Sequence, residues 1–357
     1  MHKNIIITGT GSYIPSVVKP NQQFCNNTFY TAEGQLIKEP VERTISKFNK
    51  ITDIEERRYA SEDMTCSTLG TYAAEKAIED AGVDREDLDY VIVAHNFGDV
   101  VKHTIQSDIV PSLASRVKHH LRIKNPNCVA YDVLYGCPGW IEATIQAQAF
   151  IKAGMAKKCL VVGAEALSRV LDPFDRDSMI FADGAGAAIV ELKEEAQPRG
   201  ILAHASQSFT YDEMEYLYLG KSNYPGSDDR IRYIKMQGRK IYEFALSKVP
   251  TAMKQCIDLA EVGISKIKKV LIHQANHKMD EAIIQRFYKL AGSINIPKDI
   301  MPMTIDKLGN SSVATIPTLL DLILKDNMEG HKISKGDHLL FASVGAGMNI
   351  NAFVYQW

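Results

Sequence analysis

Asp89-Tyr90-Val91-Ile92-Val93-Ala94-His95-Asn96 and Lys268-Lys269-Val270-Leu271-Ile272-His273-Gln274-Ala275-Asn276 share one pattern, an aliphatic run that stops at a polar cluster holding histidine and asparagine. Short apolar runs rich in valine and isoleucine read as buried strands, and polar residues straight after them point to a site at the strand end. The surroundings of the two copies also match. In the first half a loop with Cys137 opens a helix over Pro138–Gly154, and Lys158–Gly163 (KCLVVG) returns as a strand. In the second half a loop with Asn310 opens a helix over Ser312–Asp326, and HLLFASVGAG (338–347) returns as a strand. This internal duplication predicts an α/β protein of two similar βα halves, spanning 1–195 and 196–357.

The remaining segments extend the alternation. Strands are expected at Asn4–Thr8, Asn127–Leu134, Ala185–Leu192, Ile201–Ser206 and Asn349–Tyr355. Helices are expected at Ser67–Ala81, closed by Gly82, at Arg239–Ala260 and at Met279–Leu290. Two such halves packed together place strand ends and helix starts at a shared cleft, where ligands of open α/β sheets bind. Cys137, His273 and Asn310 all fall at such points.

Composition narrows the function classes. With 45% hydrophobic and 24% charged residues and a formal net charge of −2, the chain has no field that would gather nucleic acid or anionic lipid. The basic cluster Arg230, Arg232, Lys235, Arg239 and Lys240 reads as a solvated loop and helix face. No apolar run is long enough for a membrane span, and the N-terminus enters a strand without the pattern of a secretory signal. Six scattered cysteines form no CxxC pair and no metal spacing, which fits a reducing cytoplasm; Cys128 and Cys159 read as core thiols.

Cys137 is different because of its place in Tyr135-Gly136-Cys137-Pro138-Gly139-Trp140. Proline is favoured at the first helical position, which predicts Cys137 at the N-cap, where the helix dipole favours a thiolate. A thiolate attacks acyl carbonyls and exchanges one thioester for another. His273 alone would read as a hydrogen-bonded core histidine, and Asn310 in Leu308-Gly309-Asn310-Ser311-Ser312 as a turn or capping residue. Together they have a use. Two neutral N–H donors aimed at one point stabilise the enolate oxygen formed when a malonyl thioester loses CO2, and no metal or cofactor is needed. The Cys137 amide and one from Gly345-Ala346-Gly347 are candidates for a second oxyanion hole.

The order Cys137, then Ile272-His273-Gln274-Ala275-Asn276, then Gly309-Asn310-Ser311-Ser312, then Val344-Gly345-Ala346-Gly347 resembles the β-ketoacyl-acyl carrier protein synthase III group of thiolase-fold condensing enzymes. Gly9–Pro15, Asp172-Pro173-Phe174-Asp175-Arg176, Phe181–Ala187 and Met236-Gln237-Gly238 add to the likeness, which runs from Ile5 to Trp357. The resemblance implies a five-layered αβαβα fold, a cytoplasmic homodimer and an acyltransferase of fatty acid and lipid biosynthesis. Its substrates would be an acyl-CoA or acyl-carrier thioester and malonyl-acyl carrier protein, with no cofactor. It makes Cys137 the acyl-accepting nucleophile and His273 with Asn310 the decarboxylation pair. The amides of Cys137 and Ala346 become the oxyanion hole, Gly238 and Asn276 pantetheine contacts, and Lys278 and Arg286 carrier-protein contacts.

The chain also departs from that family. Where the priming enzymes carry Trp and Arg for the coenzyme A adenine, it reads Lys47-Phe48-Asn49-Lys50-Ile51-Thr52-Asp53-Ile54. Segments 20–46 and 97–110 are longer than in compact priming enzymes, and Tyr135 and Pro138 are bulkier than the usual alanine-rich run. A specialised enzyme of polyketide or alkylresorcinol-type lipid synthesis is the alternative. A cysteine thioester hydrolase and a non-catalytic acyl-binding protein are more remote. A dinucleotide site at Gly9-Thr10-Gly11 is disfavoured by the missing third glycine and by Pro15.

Overall fold

The computed structural model of the protein describes residues 1–104 and 106–357. In chain order the first half holds β1 (His2–Tyr13), β2 (Val17–Pro20), α1 (Val41–Thr52), β3 (Glu56–Tyr59), α2 (Cys66–Ala81), β4 (Tyr90–His95), α3 (Leu113–His120), β5 (Val129–Leu134), α4 (Gly139–Lys152), β6 (Lys158–Ala166) and β7 (Asp183–Glu195). The second holds β8 (Gly200–Ser208), β9 (Leu217–Gly220), β10 (Tyr233–Met236), α5 (Gly238–Leu259), β11 (Ile267–Ile272), α6 (His277–Leu290), α7 (Ile305–Leu308), α8 (Thr315–Leu324), β12 (His338–Gly345) and β13 (Asn349–Gln356).

The long strands follow the order β11-β12-β13-β8-β1-β7-β6-β4-β5. One parallel pairing, Ile5 with Gly200, is all that joins β1 to β8, so the row divides into one sheet from each half of the chain. Within the first, β4 runs parallel to both β5 and β6 (Val91 opposite Ala130 and Leu160). Within the second, β11 runs parallel to β12, with Leu271 opposite Phe341.

Side-chain alternation explains the layering. On β4, Ile92 and Ala94 face a central core, while Val91 and Val93 face an outer one. On β12, Leu339 and Phe341 face the same central core, and Leu340 and Ala342 the opposite outer one. The central core is filled by α4 and α8, through Trp140, Ile145, Leu319 and Leu320 among others. Helices α2 and α3 cover the first sheet, and α5 and α6 the second. The result is the αβαβα sequence of layers, with β4, β6, β7, β12 and β13 buried on both faces as their apolar runs require. In this arrangement α4 and α8 both lie between the sheets, and the turns entering them meet.

Four segments form elements where no strand or helix is expected from the sequence: α1 with β2 and β3, α3, the β9–β10 hairpin, and the one-turn α7. Strand β3 reads Glu-Arg-Arg-Tyr, yet Arg57 is fully buried, donating to the carbonyls of Met179 and Lys19 and to Asn21 Oδ1. The basic cluster is also not uniformly solvated. Lys235 is buried among Asp172, Asp175 and Asn223, while Arg230 and Arg239 remain at the surface. Cys128 and Cys159 are buried thiols.

Candidate active site

Leu134 ends β5, and Tyr135-Gly136 turn the chain into α4. The helix begins one residue later than expected. Pro138 is the N-cap, in the right-handed helical region (φ −71°, ψ −3°), and α4 starts at Gly139, so Cys137 sits just before the cap. The Gly139 amide closes this turn on the Gly136 carbonyl at 3.0 Å. The expected thiolate is also not the resting state. Burial pushes the Cys137 thiol up to about 12, against a hydrogen bond from the Ser312 hydroxyl and one from its own amide, and the Glu165 carboxyl adds to the rise. Loss of hydration at the sulfur outweighs the helix terminus.

Asn310 is held from both sides. Its N–H donates to Ile180 O at 3.0 Å and its carbonyl accepts from Ala182 N at 2.8 Å, which ties the Gly309–Ser312 turn to the Phe181-Ala182-Asp183 segment. The side-chain Oδ1 accepts from Ser312 N at 2.8 Å. The Nδ2 group is therefore the free end, and among the described residues no protein group accepts from it. Instead of entering α8 directly, the turn passes through a short 3-10 segment, Ser312–Ala314. Gly309 has φ +68° and ψ −163°, and a Cβ there would lie 2.7 Å from Arg57 Cβ, so only glycine fits. Ser312 also has positive φ, +54°.

His273 follows β11 and is 3% exposed. Its amide donates to Ala342 O at 2.9 Å, which sets it beside the end of β12. The ring Nδ1 is buried with no partner, and burial lowers the ring pKa to about 4, so the imidazole is neutral near pH 7. The next residue, Gln274, is structural: it donates to Pro302 O at 2.9 Å and accepts from Thr304 N at 2.9 Å.

Cys137 and the Asn310 turn are in direct contact, because Ser312 Oγ donates to Cys137 Sγ at 3.3 Å. The end of β12 completes the group: a Cβ on Gly345 would lie 2.4 Å from Cys137 N, so this strand crosses the Cys137 backbone. Ala346, the next residue, lines the same cavity as Cys137. His273 stands one strand away from this crossing, since Ile272 pairs with Ala342. Among the described residues no hydrogen bond joins its ring to Cys137 or Asn310.

Two cavities lie close by. The one at Cys137 is about 190 Å³ and is walled by Phe97, Leu167, Phe181, Leu217, Leu219 and Ile234. The other is about 340 Å³ and includes Gly238 and Asn276, with Lys47, Phe48 and Ile51 of α1. Asn276 also caps α6, its Oδ1 accepting from Met279 N at 3.1 Å. Lys278 and Arg286 are both exposed on α6 and line neither cavity; Arg286 donates to Leu246 O at 3.0 Å. Among the described residues no group of His, Cys, Asp and Glu side chains could hold a metal ion.

Three polar residues at this site went unassigned from the sequence: Asn96, Glu165 and Ser312. A signal existed for each. Asn96 ends the strand copy that parallels Asn276, Glu165 interrupts an apolar run, and Ser312 closes the Asn310 turn. The hairpin wall of the Cys137 cavity had no such signal.

Two family models match the chain: 3-oxoacyl-[acyl-carrier-protein] synthase III over residues 131–208 and the C-terminal part of the same family over 257–357. The β-ketoacyl-[acyl-carrier-protein] synthase III 1 of Vibrio parahaemolyticus is 32% identical over 342 residues, 96% of each chain. That of Vibrio vulnificus is 33% identical over 343 residues, again 96% of each. Among solved structures, the 3-oxoacyl-[acyl-carrier-protein] synthase III of Aquifex aeolicus superposes with TM-score 0.79 at 29% identity, covering 99% of this chain and 100% of that one. The Thermus thermophilus enzyme gives TM-score 0.78 at 31% identity over 99% of both. The αβαβα layers are thus those of the thiolase-like fold, and the chain belongs to the 3-oxoacyl-[acyl-carrier-protein] synthase III family.

Proposed function

We infer that the protein is an acyltransferase that loads an acyl group from a thioester onto Cys137 and condenses it, with loss of CO2, onto a malonyl group carried by acyl carrier protein. The observation that carries this reading is the single contact point of the Cys137 turn, the Asn310 turn and the end of β12 at the mouth of an apolar cavity. In the first half-reaction the thiol sulfur attacks the donor carbonyl and the donor thiol leaves with the proton. The Cys137 and Ala346 amides serve the tetrahedral oxyanion. In the second, malonyl carboxylate departs as CO2 and leaves an enolate. The neutral His273 ring and the Asn310 Nδ2 group supply uncharged donors to its oxygen. The enolate carbon then attacks the Cys137-bound carbonyl, the sulfur is expelled, and a β-ketoacyl thioester forms on the carrier. No cofactor enters any of these steps.

Gly238 and Asn276 sit in the 340 Å³ cavity, which suits the pantetheine arm, and Lys278 and Arg286 offer exposed positive charge beside it for an acidic carrier protein. The walls of the Cys137 cavity are aliphatic and aromatic, so the acyl group is apolar. A homodimer is supported by β5, one of the two terminal strands of the row, whose outer edge pairs with no strand among the described residues and whose Val129 and Leu134 are 47% and 61% exposed. The two halves, 1–195 and 196–357, are the duplicated units that meet at the site. No helix among the described residues is long and apolar enough to cross a membrane.

A role in specialised lipid or polyketide synthesis is the second reading. It is favoured by the second cavity's α1 wall, where Lys47, Phe48 and Ile51 stand in place of an adenine clamp of Trp and Arg. Intact-protein mass spectrometry with acyl-CoA and acyl-carrier donors tests both the site and the donor. Wild type gains one acyl mass at Cys137, Cys137→Ala gains none, and the donor that loads faster names the natural carrier. Loading that persists in Cys137→Ala would reject the nucleophile.

A further inference from the structure

A partly buried polar chain runs from β6 through Asn96 to Ser312, in the Asn310 turn, and ends at the Cys137 sulfur. Glu165 on β6 is 1% exposed and follows the apolar run Cys159–Ala164. Asn96, the residue after β4, donates its Nδ2 to Glu165 Oε1 and also, at 3.0 Å, to Ser312 Oγ. Ser312 Oγ in turn donates to Cys137 Sγ at 3.3 Å. Donor counting sets the direction of the whole chain. The two hydrogens of Asn96 Nδ2 are spent on Glu165 and Ser312, so Ser312 Oγ receives one hydrogen bond and has its single hydrogen left for the sulfur. With Glu165 Oε1 as the acceptor beside Asn96 and the acid's proton on Oε2, a flipped Asn96 amide would set its oxygen against Oε1, so Glu165 selects the amide orientation. Ser312 is kept at φ +54°, an unfavourable backbone for a non-glycine residue, which marks its position as held by its surroundings.

We propose that Asn96 and Glu165 are positioning residues for the nucleophile, holding the Ser312 hydroxyl with its hydrogen aimed at Cys137 Sγ so that negative charge on sulfur is stabilised as the thiol reacts. The need is specific to this site, because Cys137 is half-buried at the cavity wall and desolvation disfavours its thiolate. One directed hydroxyl donor offsets part of that cost without a full charge beside the acyl group. Glu165 itself is a buried acid whose pKa burial raises well above the usual carboxylate range, so a neutral acceptor at this position suffices.

The inference rests on Cys137 being the nucleophile, which the Cys137→Ala loading test addresses separately. Its own test is the rate of iodoacetamide alkylation at Cys137, read at peptide level between pH 7 and pH 9 on the full chain. Ser312→Ala and Asn96→Ala are each expected to raise the thiol pKa by about one unit. A tenfold smaller thiolate fraction, partly offset by higher nucleophilicity, leaves alkylation roughly three- to tenfold slower at each pH. Glu165→Gln keeps an acceptor for Asn96 and is expected to restore the wild-type profile, whereas Glu165→Leu is expected to match Asn96→Ala. If Glu165→Leu fails to fold, Asn96→Ala and Glu165→Gln still decide the matter. A profile unchanged in Asn96→Ala, or Glu165→Gln slowed as far as Asn96→Ala, overturns the proposal, and does so even where acyl loading at Cys137 persists.

Discussion

His273 is a ring with its Nδ1 enclosed, unpartnered and far from any charge that would hold a proton on it. Its pKa of about 4 lies below the unfolded value of 6.5, so folding buries the neutral form and the unfolded chain binds the extra proton between those limits. The sign follows: this residue's contribution to stability falls as pH drops from about 6.5 to about 4, and it is constant above that window. For the chemistry, the neutral donor is already present at every pH above about 5. Malonyl decarboxylation by enzyme acylated beforehand is therefore expected to show no acidic limb between pH 5 and pH 7. A limb near pH 6.5 in a stopped-flow CO2 assay would contradict the neutral-donor role. His273→Ala is expected to keep acyl loading at Cys137 and to slow decarboxylation about a hundredfold or more, the scale of one lost oxyanion donor. Equal losses in both half-reactions would contradict the division of labour.

At the scale of the element, the Gly309-Asn310-Ser311-Ser312 turn decides where two side chains point. Gly309 occupies a backbone region closed to other residues and lies against the Arg57 stem. Gly309→Ala is expected to cost about 3 kcal/mol of stability, from backbone strain plus the Arg57 contact, and to abolish condensation by shifting Asn310. Urea denaturation checks the first part, and a cost under about 0.5 kcal/mol would show that the turn adapts. Asn310 was legible because the turn stands before an apolar helix in a repeated loop pattern. The bracing by Arg57 was not legible. A strand reading Glu-Arg-Arg-Tyr has no apolar period, and its burial depends on carbonyls contributed by residues far away in sequence. Cys137 likewise was visible in place but misjudged in charge, since the desolvation that raises its pKa comes from the packed site and not from the local Gly-Cys-Pro-Gly turn.

The whole molecule was legible wherever strands are buried on both faces, because continuous aliphatic runs leave no other reading. The duplicated DYVIVAHN and KKVLIHQAN patterns became β4, between parallel β5 and β6, and β11, beside parallel β12. The Cys137 cavity wall was not legible, as Leu217, Leu219 and Ile234 come from a short hairpin whose strands pair only with each other. One consequence at this scale concerns assembly. If β5 pairs with its counterpart in a second copy, Val129→Asp places two like charges near one interface. Light scattering is then expected to fall from twice 39.7 kDa toward 39.7 kDa. A mass of 39.7 kDa for the wild type would remove the dimer.

Condensation forms a carbon–carbon bond from a Cys137-bound acyl group, and product analysis with carbon-13 malonyl-acyl carrier protein reads that bond. Acylated enzyme is expected to return to its unmodified mass while the carrier gains a β-ketoacyl chain two carbons longer than the donor acyl group, with one CO2 released per chain. Release of the free donor acid, with no labelled chain on the carrier, would contradict it.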